Sequence, residues 1–241
     1  MSTVQNKFLI FLIVLCYIPV LFLGLFDVDE GAFASTSLQM IKQKQYLIPT
    51  IGDELRLEKP ILTYWVQVMS IYIFGPNEFA LRLPSIIASF IWAYSFSSFV
   101  NQHTRNVRRS EIFLNLLTLP GVFIMSSAAT ADAFLNLFIT LLMINLFNYS
   151  IKKDDKLLIW SGIYVALGFL TKGLTIIAIC GTVSLIYFLL KRKLLNFLTI
   201  LFSWKAWLAF VIVVLPWFIF ILNEIGISNL NYLFFGQTFG R

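Results

Sequence analysis

The chain has 241 residues, of which 59% are hydrophobic and 12% are charged, and its mean hydropathy is +0.84. A soluble globular domain is about half apolar and about a quarter charged, so this composition excludes that class and indicates an integral membrane protein. The net charge of +6 comes from short basic clusters between apolar runs rather than along one face, a pattern that membrane topology explains better than nucleic-acid binding.

The apolar runs predict an all-α polytopic membrane protein with about seven transmembrane helices, since a segment in lipid must satisfy its own backbone polar groups. Residues 8–26 are the first uncharged run, and their length without a small-x-small cleavage site favours a span over a secretory signal. Pro19 should kink this helix. The later spans are predicted at 83–100, 112–128, 133–151, 157–171, 173–190 and 206–222.

The longest polar interval follows the first run, and we interpret residues 27–75 as an external loop within a single transmembrane domain, 1–241. Residues 34–45 mix apolar and polar side chains, which predicts a short helix at the membrane interface. An extended stretch at 49–60 and a second interfacial helix at 61–75 should follow. The loop carries six of the twelve acidic residues: Asp27, Asp29, Glu30, Asp53, Glu54 and Glu58.

The basic clusters predict how the chain is oriented in the membrane. With a cytoplasmic N-terminus, the clusters at 105–109, 152–156 and 191–193 all lie on the cytoplasmic side, in short loops where the positive-inside bias operates. The same assignment places the external loop, Asp132 and Lys172 on the opposite face. Because the unusual polar side chains converge there, we expect a functional site on that face rather than a plain tether.

Three ionisable residues at the edges of apolar runs are candidates for function. Asp132 and Lys172 each cost several kcal/mol near lipid unless they are paired or hydrated, which marks them as functional or as a structural ion pair. Arg82 lies at the start of a predicted span, where an arginine can equally extend to the lipid headgroups.

Five motifs occur along the chain in the order DVDEG, EKPILTYW, FGPNEFALRLPS, ATADAFL and FLTKG. In this order they resemble the GT-C membrane glycosyltransferases of the aminoarabinose transferase and protein O-mannosyltransferase superfamily, over residues 27–241. The resemblance implies a polyprenyl-phosphate-linked sugar donor and transfer at the outer face of the bacterial inner membrane. It also implies that the acidic pair of the first motif, Asp29 and Glu30, lies at the catalytic centre.

Transfer from such a donor requires a group that positions or deprotonates the acceptor, and cations that stabilise the departing phosphate. Asp29 is our candidate for the first role; toward an already ionised lipid-phosphate acceptor it would orient rather than deprotonate. Lipid A is the leading acceptor and a protein the second. The expected substrate-binding residues are Glu58, Lys59, Arg82, Asp132, Lys172 and Arg241.

The chain departs from the family pattern in several places. In the aminoarabinose branch the glutamate of E-K-P, here Glu58, can bind a metal with a histidine of a later external loop, but the tail NYLFFGQTFGR contains no histidine. His103 lies in the basic turn, and Cys16 and Cys180 lie in separate apolar runs, so we expect no cofactor and no disulfide, and the resemblance leaves a divalent metal at Glu58 as the alternative. The chain has TKGL where members have TKGP, and it ends where their second half begins, so we expect the N-terminal part of a longer fold.

Two other classes of protein remain as alternatives. A lipid or sugar transporter or flippase should show paired inverted repeats with broken helices, and the sequence shows no such symmetry. An inactive truncated remnant would keep the spans and lose the acidic pair, which is intact here. The expected partners are therefore the polyprenyl-phosphate sugar, its acceptor and membrane lipids, and the expected location is the bacterial inner membrane, with a multi-pass chain and a periplasmic site.

Overall fold

The computed structural model describes residues 3–104, 107–231 and 233, and its regular structure is mostly helical. The helices are α1 Thr3–Val20, α2 Val28–Gln43, α3 Leu62–Phe74, α4 Glu78–His103, α5 Arg109–Thr118, α6 Pro120–Ser127, α7 Asp132–Lys152, α8 Asp155–Lys172, α9 Thr175–Leu190, α10 Leu194–Leu201 and α11 Trp204–Asn231. Between α2 and α3 lies an antiparallel hairpin of β1 Thr50–Ile51 and β2 Glu54–Leu55.

Three helical stretches of the described chain are long and apolar enough to cross a membrane: α4, α7 and the 34-residue stretch Leu194–Ile227, which α10 and α11 form together. Helices α5 and α6 would make a fourth span, bent by 73°. Three further apolar helices are shorter, Phe11–Val20, Leu62–Phe74 and Thr175–Leu190. The predicted all-α polytopic membrane fold is confirmed, and the number of about seven spans stays a prediction.

The span predicted at 112–128 consists of two helices rather than one, because the chain breaks at Leu119. Leu119 has extended backbone angles, with φ −64° and ψ 125°, and Pro120 opens α6. The proline ring clashes with a helical conformation at the preceding residue, and proline itself fits the first turn of a helix. The Leu-Pro step therefore ends α5 and begins α6.

The first polar interval also differs from its predicted boundaries. Helix α1 ends at Val20, one residue after Pro19, where the sequence predicted a kinked helix that continues to residue 26. Helix α2 begins at Val28, ahead of the start predicted at residue 34. Both acidic residues of the DVDEG motif therefore lie in the first turn of α2.

The second half of the interval contains the predicted helix and an unpredicted hairpin. Helix α3 agrees with the helix expected at 61–75. The stretch expected to be extended, 49–60, instead folds back on itself, with Thr50 paired to Leu55. Gly52 has φ +60° at the first position of the two-residue turn, where glycine carries no steric penalty.

Contacts between residues divide the chain into two compact units, each made of two segments. Unit 1 contains Met1–Lys44 and Thr63–Leu137, and unit 2 contains Gln45–Leu62 and Phe138–Arg241. The buried side chains of unit 1 include two apolar clusters: Tyr17, Leu21 and Ile86, and Ala34, Ile71, Ala80, Leu81 and Ala129.

In unit 2, close helix packing and one long-range hydrogen bond organise the fold. A Cβ atom added at Gly162 of α8 would lie 2.1 Å from the carbonyl oxygen of Ala206, so α8 and α11 approach at their backbones. Trp217 of α11 donates its indole N–H to the carbonyl oxygen of Leu47 at 3.0 Å. This bond ties the segment that carries the hairpin to α11.

Candidate active site

A fully buried ion pair between Glu30 and Arg82 lies at the centre of unit 1, and neither side chain is exposed. Arg82 Nε donates to Glu30 Oε1 and Arg82 Nη2 donates to Glu30 Oε2, both at 2.9 Å. A bidentate pair of this kind is among the strongest side-chain interactions and fixes the orientation of both partners. It holds the first turn of α2 against the beginning of α4.

The remaining donors of Arg82 bind the end of α1. Arg82 Nη1 donates to the carbonyl oxygens of Val20 and Leu23 at 2.6 and 2.5 Å, and Nη2 donates to that of Gly24 at 3.0 Å. The last carbonyl groups of a helix have no partners within the helix, and a cation also suits the negative end of its dipole. Arg82 therefore caps α1 and does not extend to the lipid headgroups.

Backbone amides supply the other donors to Glu30. Glu30 Oε1 accepts from the N–H of Ala129 at 2.7 Å, and Oε2 accepts from the N–H of Phe26 at 3.2 Å. Burial on its own raises the pKa of Glu30, but the hydrogen bonds from Arg82, Ala129 and Phe26 outweigh that effect and hold the pKa below its usual value. Glu30 is therefore an ionised carboxylate whose two oxygens are each bound by two protein donors.

Gln67 of α3 binds the carbonyl group of Ala129, the residue whose N–H donates to Glu30. Its Nε2 donates to the carbonyl oxygen of Ala129 at 2.9 Å, and its Oε1 accepts from the hydroxyl of Ser37 at 2.7 Å. Ala129 is thus fixed through its N–H by Glu30 and through its carbonyl by Gln67. The segment that contains Ala129 leads directly into Asp132, the first residue of α7, so two buried polar side chains set the position of Asp132.

Two predicted site residues lie beside this network and reach the surface. Asp29 is exposed and Asp132 is partly buried. Each lies in the first turn of a helix, where the positive end of the dipole favours a carboxylate. Neighbouring residues of a helix point about 100° apart, so the burial of Glu30 directs Asp29 outward.

Three predicted binding residues lie in unit 2, and a fourth lies outside the described residues. The carboxylate of Glu58 is 48% exposed and lies 3.6 Å from Nη2 of Arg56, whose side chain is 5% exposed. Lys59 and Lys172 are partly buried, and Lys172 is the last residue of α8. Arg241 is the fourth, and it is not part of the described chain. Each unit thus carries its own subset of the predicted site.

The predicted site residues do not include Gln67, Ser37 or Arg56, all of which are buried in the structure. The sequence did indicate that Gln67 is unusual, because a side-chain amide inside the apolar run at 61–75 is costly near lipid unless it has hydrogen-bond partners. The sequence contains no such indication for Ser37 and Arg56, since both lie in polar stretches where such residues are ordinary.

The chemical groups that the candidate site offers are carboxylates and amines. Among residues 3–104, 107–231 and 233, no group of three or more His, Cys, Asp or Glu side chains could hold a metal ion. A carboxylate such as Asp29 can orient or deprotonate a hydroxyl or amine. Ammonium groups such as those of Lys59 and Lys172 can stabilise charge on a phosphate.

Comparison with known proteins identifies relatives along most of the chain. The family model of dolichyl-phosphate-mannose-protein mannosyltransferase matches residues 58–220. An undecaprenyl phosphate-alpha-4-amino-4-deoxy-L-arabinose arabinosyl transferase of Wigglesworthia glossinidia brevipalpis is 30% identical over 68% of this chain and 30% of its own length. A protein of the same name from Shewanella sediminis is 25% identical over 86% of this chain and 38% of its own length. The chain thus spans about a third of these curated relatives.

A solved membrane protein shares the fold. The crystal structure of ArnT from Cupriavidus metallidurans bound to undecaprenyl phosphate matches 96% of this chain and 44% of that chain, with a TM-score of 0.83 and 21% identity. Its apo state gives the same TM-score at 19% identity. The family model covers well over half of the sequence, and the chain therefore belongs to the dolichyl-phosphate-mannose-protein mannosyltransferase family.

Proposed function

We propose that this protein is a glycosyltransferase that moves a sugar from a polyprenyl-phosphate donor to an acceptor outside the cytoplasm. Family membership supports this reaction class, as do the names of the curated relatives and the undecaprenyl phosphate bound to the solved relative. The observation that carries the proposal is the division of the acidic pair: Glu30 is buried and bound by four donors, whereas its neighbour Asp29 is exposed on the helix that Glu30 anchors.

In this proposal the two members of the acidic pair have different roles. Asp29 contacts the acceptor and positions or deprotonates its nucleophile. Glu30 and Arg82 act from inside, because their bonds to α1, α4 and Ala129 fix the backbone on which Asp29 and Asp132 stand. Glu30 is then a positioning residue of the catalytic centre, and the contribution of Arg82 to phosphate binding is indirect.

The basic residues of unit 2 bind the phosphate of the donor in this proposal. Lys59, Lys172 and Arg241 would stabilise the charge that develops on the departing lipid phosphate. A lipid phosphate carries fewer charges than a nucleotide diphosphate, so amines can replace a divalent metal. Glu58 and Asp132 are carboxylates that suit the hydroxyl or amino groups of the sugar.

We infer lipid A as the leading acceptor and a protein as the second, with the site facing the periplasm from the bacterial inner membrane. A lipid-phosphate nucleophile is ionised at neutral pH, whereas a protein hydroxyl needs a base. Offering both acceptors to the full-length protein and to its Asp29→Asn variant separates them: a large loss of transfer in the variant supports a hydroxyl, which needs a base, and a small loss supports a phosphate.

Asp29→Asn in the full-length protein tests the assignment through transfer of radiolabelled sugar from a defined polyprenyl-phosphate donor. We expect the transfer rate to fall by about 10²- to 10⁴-fold with an unchanged unfolding temperature. Asp27→Asn is the matched control, because Asp27 is an exposed carboxylate just before α2 whose side chain makes no capping hydrogen bond. Wild-type transfer in Asp29→Asn would remove Asp29 from the mechanism.

A further inference from the structure

Unit 2 contains an apolar cavity of about 160 Å³ that the proposed glycosyl transfer does not use. Its walls come from α7, α8, α9, α10 and α11, and include Leu142, Gly162, Cys180, Gly181, Phe197 and Trp207. The hydroxyls of its two serines donate to protein atoms: Ser161 to the carbonyl oxygen of Leu157 at 2.8 Å, and Ser184 to the sulfur of Met143 at 3.9 Å. Apolar walls whose few polar groups are already hydrogen-bonded suit a hydrocarbon chain.

A basic cluster marks the end of unit 2 at which the α7–α8 turn, the α9–α10 turn and the start of α11 meet. Helices joined by short turns lie antiparallel, which places the first two turns together, and an ion pair between Lys205 and Asp155 brings the start of α11 beside them. These segments contain seven basic and two acidic residues: Lys152, Lys153, Lys156, Lys191, Arg192, Lys193 and Lys205, with Asp154 and Asp155.

Helix α10 joins this basic cluster to the cavity. Phe197, Ile200 and Leu201 of α10 line the cavity, and the helix begins immediately after the Lys191–Lys193 triplet. All three basic side chains of the triplet are exposed. An acyl chain in the cavity would therefore have its headgroup near a concentration of positive charge.

Exposed aromatic side chains at the same end of unit 2 favour a position at a membrane interface. Phe202 is 75% exposed, and Trp204 is 68% exposed beside Lys205. Trp207 is half exposed and also forms part of the cavity wall. Tryptophan and lysine together are typical of the headgroup level, where rings and amines find both hydrocarbon and water.

We propose that the cavity and the basic cluster form a binding site for an anionic glycerophospholipid, with one acyl chain in the cavity and the phosphate on the Lys191–Lys193 triplet. Charge complementarity selects this occupant: a zwitterionic lipid would fill the cavity equally well but would gain less from the net positive charge. The site shares no residue with Asp29 and its network, and it stands whether or not the proposed function is correct.

The test uses purified full-length protein in uncharged detergent, titrated with phosphatidylglycerol or phosphatidylcholine that carries brominated acyl chains. Bromine quenches nearby tryptophan, and the difference from Trp207→Phe isolates the signal of the residue in the cavity wall. We expect phosphatidylglycerol to quench Trp207 at a concentration at least about tenfold lower than phosphatidylcholine.

Two variants separate the headgroup from the chain. Removing the triplet with Lys191→Gln, Arg192→Gln and Lys193→Gln should weaken phosphatidylglycerol binding by about 100-fold, since each basic residue contributes about fivefold, and should leave phosphatidylcholine unchanged. Gly181→Leu should reduce binding of both lipids, because a Cβ there meets no atom within 4 Å and the new side chain fills the cavity. The unfolding temperature of each variant is measured alongside to show that it is folded.

The matched control removes three exposed basic residues of unit 1, with Lys42→Gln, Lys44→Gln and Arg108→Gln, and should keep the preference for phosphatidylglycerol. Equal binding of the two lipids would overturn the proposal, as would an equal loss in the control. An absence of quenching at Trp207 would also overturn it and would indicate that protein, rather than lipid, fills the cavity. A fold-stable Gly181→Leu variant that binds both lipids normally would have the same consequence.

Discussion

At the scale of single residues, the buried Glu30–Arg82 pair has the largest expected effect on stability. Glu30→Gln leaves the guanidinium of Arg82 buried without its counter-charge, and breaking a buried pair in this way costs about 3–5 kcal/mol. SDS-induced unfolding should show this loss, and Glu58→Gln, which removes a half-exposed carboxylate, should change stability by less than about 1 kcal/mol. Equal stabilities of the two variants would show that the pair contributes little.

The lowered pKa of Glu30 predicts how stability depends on pH. The carboxylate stabilises the folded state fully above its usual pKa of 4.5, and this contribution is lost as the pH falls through the lower pKa of the folded protein. Unfolding temperatures of the wild type and Glu30→Gln, measured from pH 7 to pH 3, should therefore converge in the acid range. A difference that stays constant over the whole range would contradict this assignment.

Gln67 gives a second residue-scale prediction, because it satisfies two groups in the interior of unit 1. Gln67→Leu leaves the carbonyl of Ala129 and the hydroxyl of Ser37 without that partner, and a buried unsatisfied group costs about 1–3 kcal/mol. Ser70→Ala on the same helix is the control, since the hydroxyl of Ser70 has no hydrogen-bond partner among the described residues. Unfolding in SDS should distinguish them, and a smaller loss in Gln67→Leu than in Ser70→Ala would refute the role of Gln67.

At the scale of elements, two helical glycines in unit 2 should respond in opposite directions to the same change. Gly162→Ala places a Cβ 2.1 Å from the backbone of Ala206, so α8 and α11 must separate, at a cost of about 1–3 kcal/mol. Gly181→Ala meets open space and should gain up to about 1 kcal/mol from helix propensity. Thermal unfolding of both variants checks this, and a stable Gly162→Ala would show that the helices are not in close contact there.

The elements also show what the sequence could and could not predict. Helix α3 was predicted well, because an apolar run between polar flanks specifies a helix by itself. The break at Pro120 had a local signal, the Leu-Pro step, but the apolar run concealed it. The mean hydropathy stays high across Leu119, whereas the helical backbone cannot continue through it. The early end of α1 had no local signal strong enough, since the carbonyl of Val20 accepts a hydrogen bond from Arg82, which lies 62 residues further along the chain.

At the scale of the whole molecule, composition was sufficient for the class and the order of motifs was sufficient for the family. The site was predicted only in part. Asp29 and Glu30 are adjacent carboxylates that sequence alone treats alike, and their separation into an exposed and a buried residue depends on donors from Arg82 and Ala129. Such partners come from distant positions, so a pattern of residue types identifies the candidates and the tertiary structure assigns their roles.

The orientation of the chain in the membrane gives the last prediction. The α7–α8 turn at 152–156 is basic, so the positive-inside bias places it in the cytoplasm, and the exposed hairpin turn should lie outside. Asp154→Cys and Asp53→Cys, each in a background with Cys16→Ala and Cys180→Ala, report the two positions to a membrane-impermeant maleimide on spheroplasts. We expect Asp53→Cys to react in intact spheroplasts and Asp154→Cys to react only after lysis. If both cysteines react from the same side, the hairpin and the basic turn do not lie on opposite sides of the bilayer. The proposal of a periplasmic site that includes Glu58 would then be wrong.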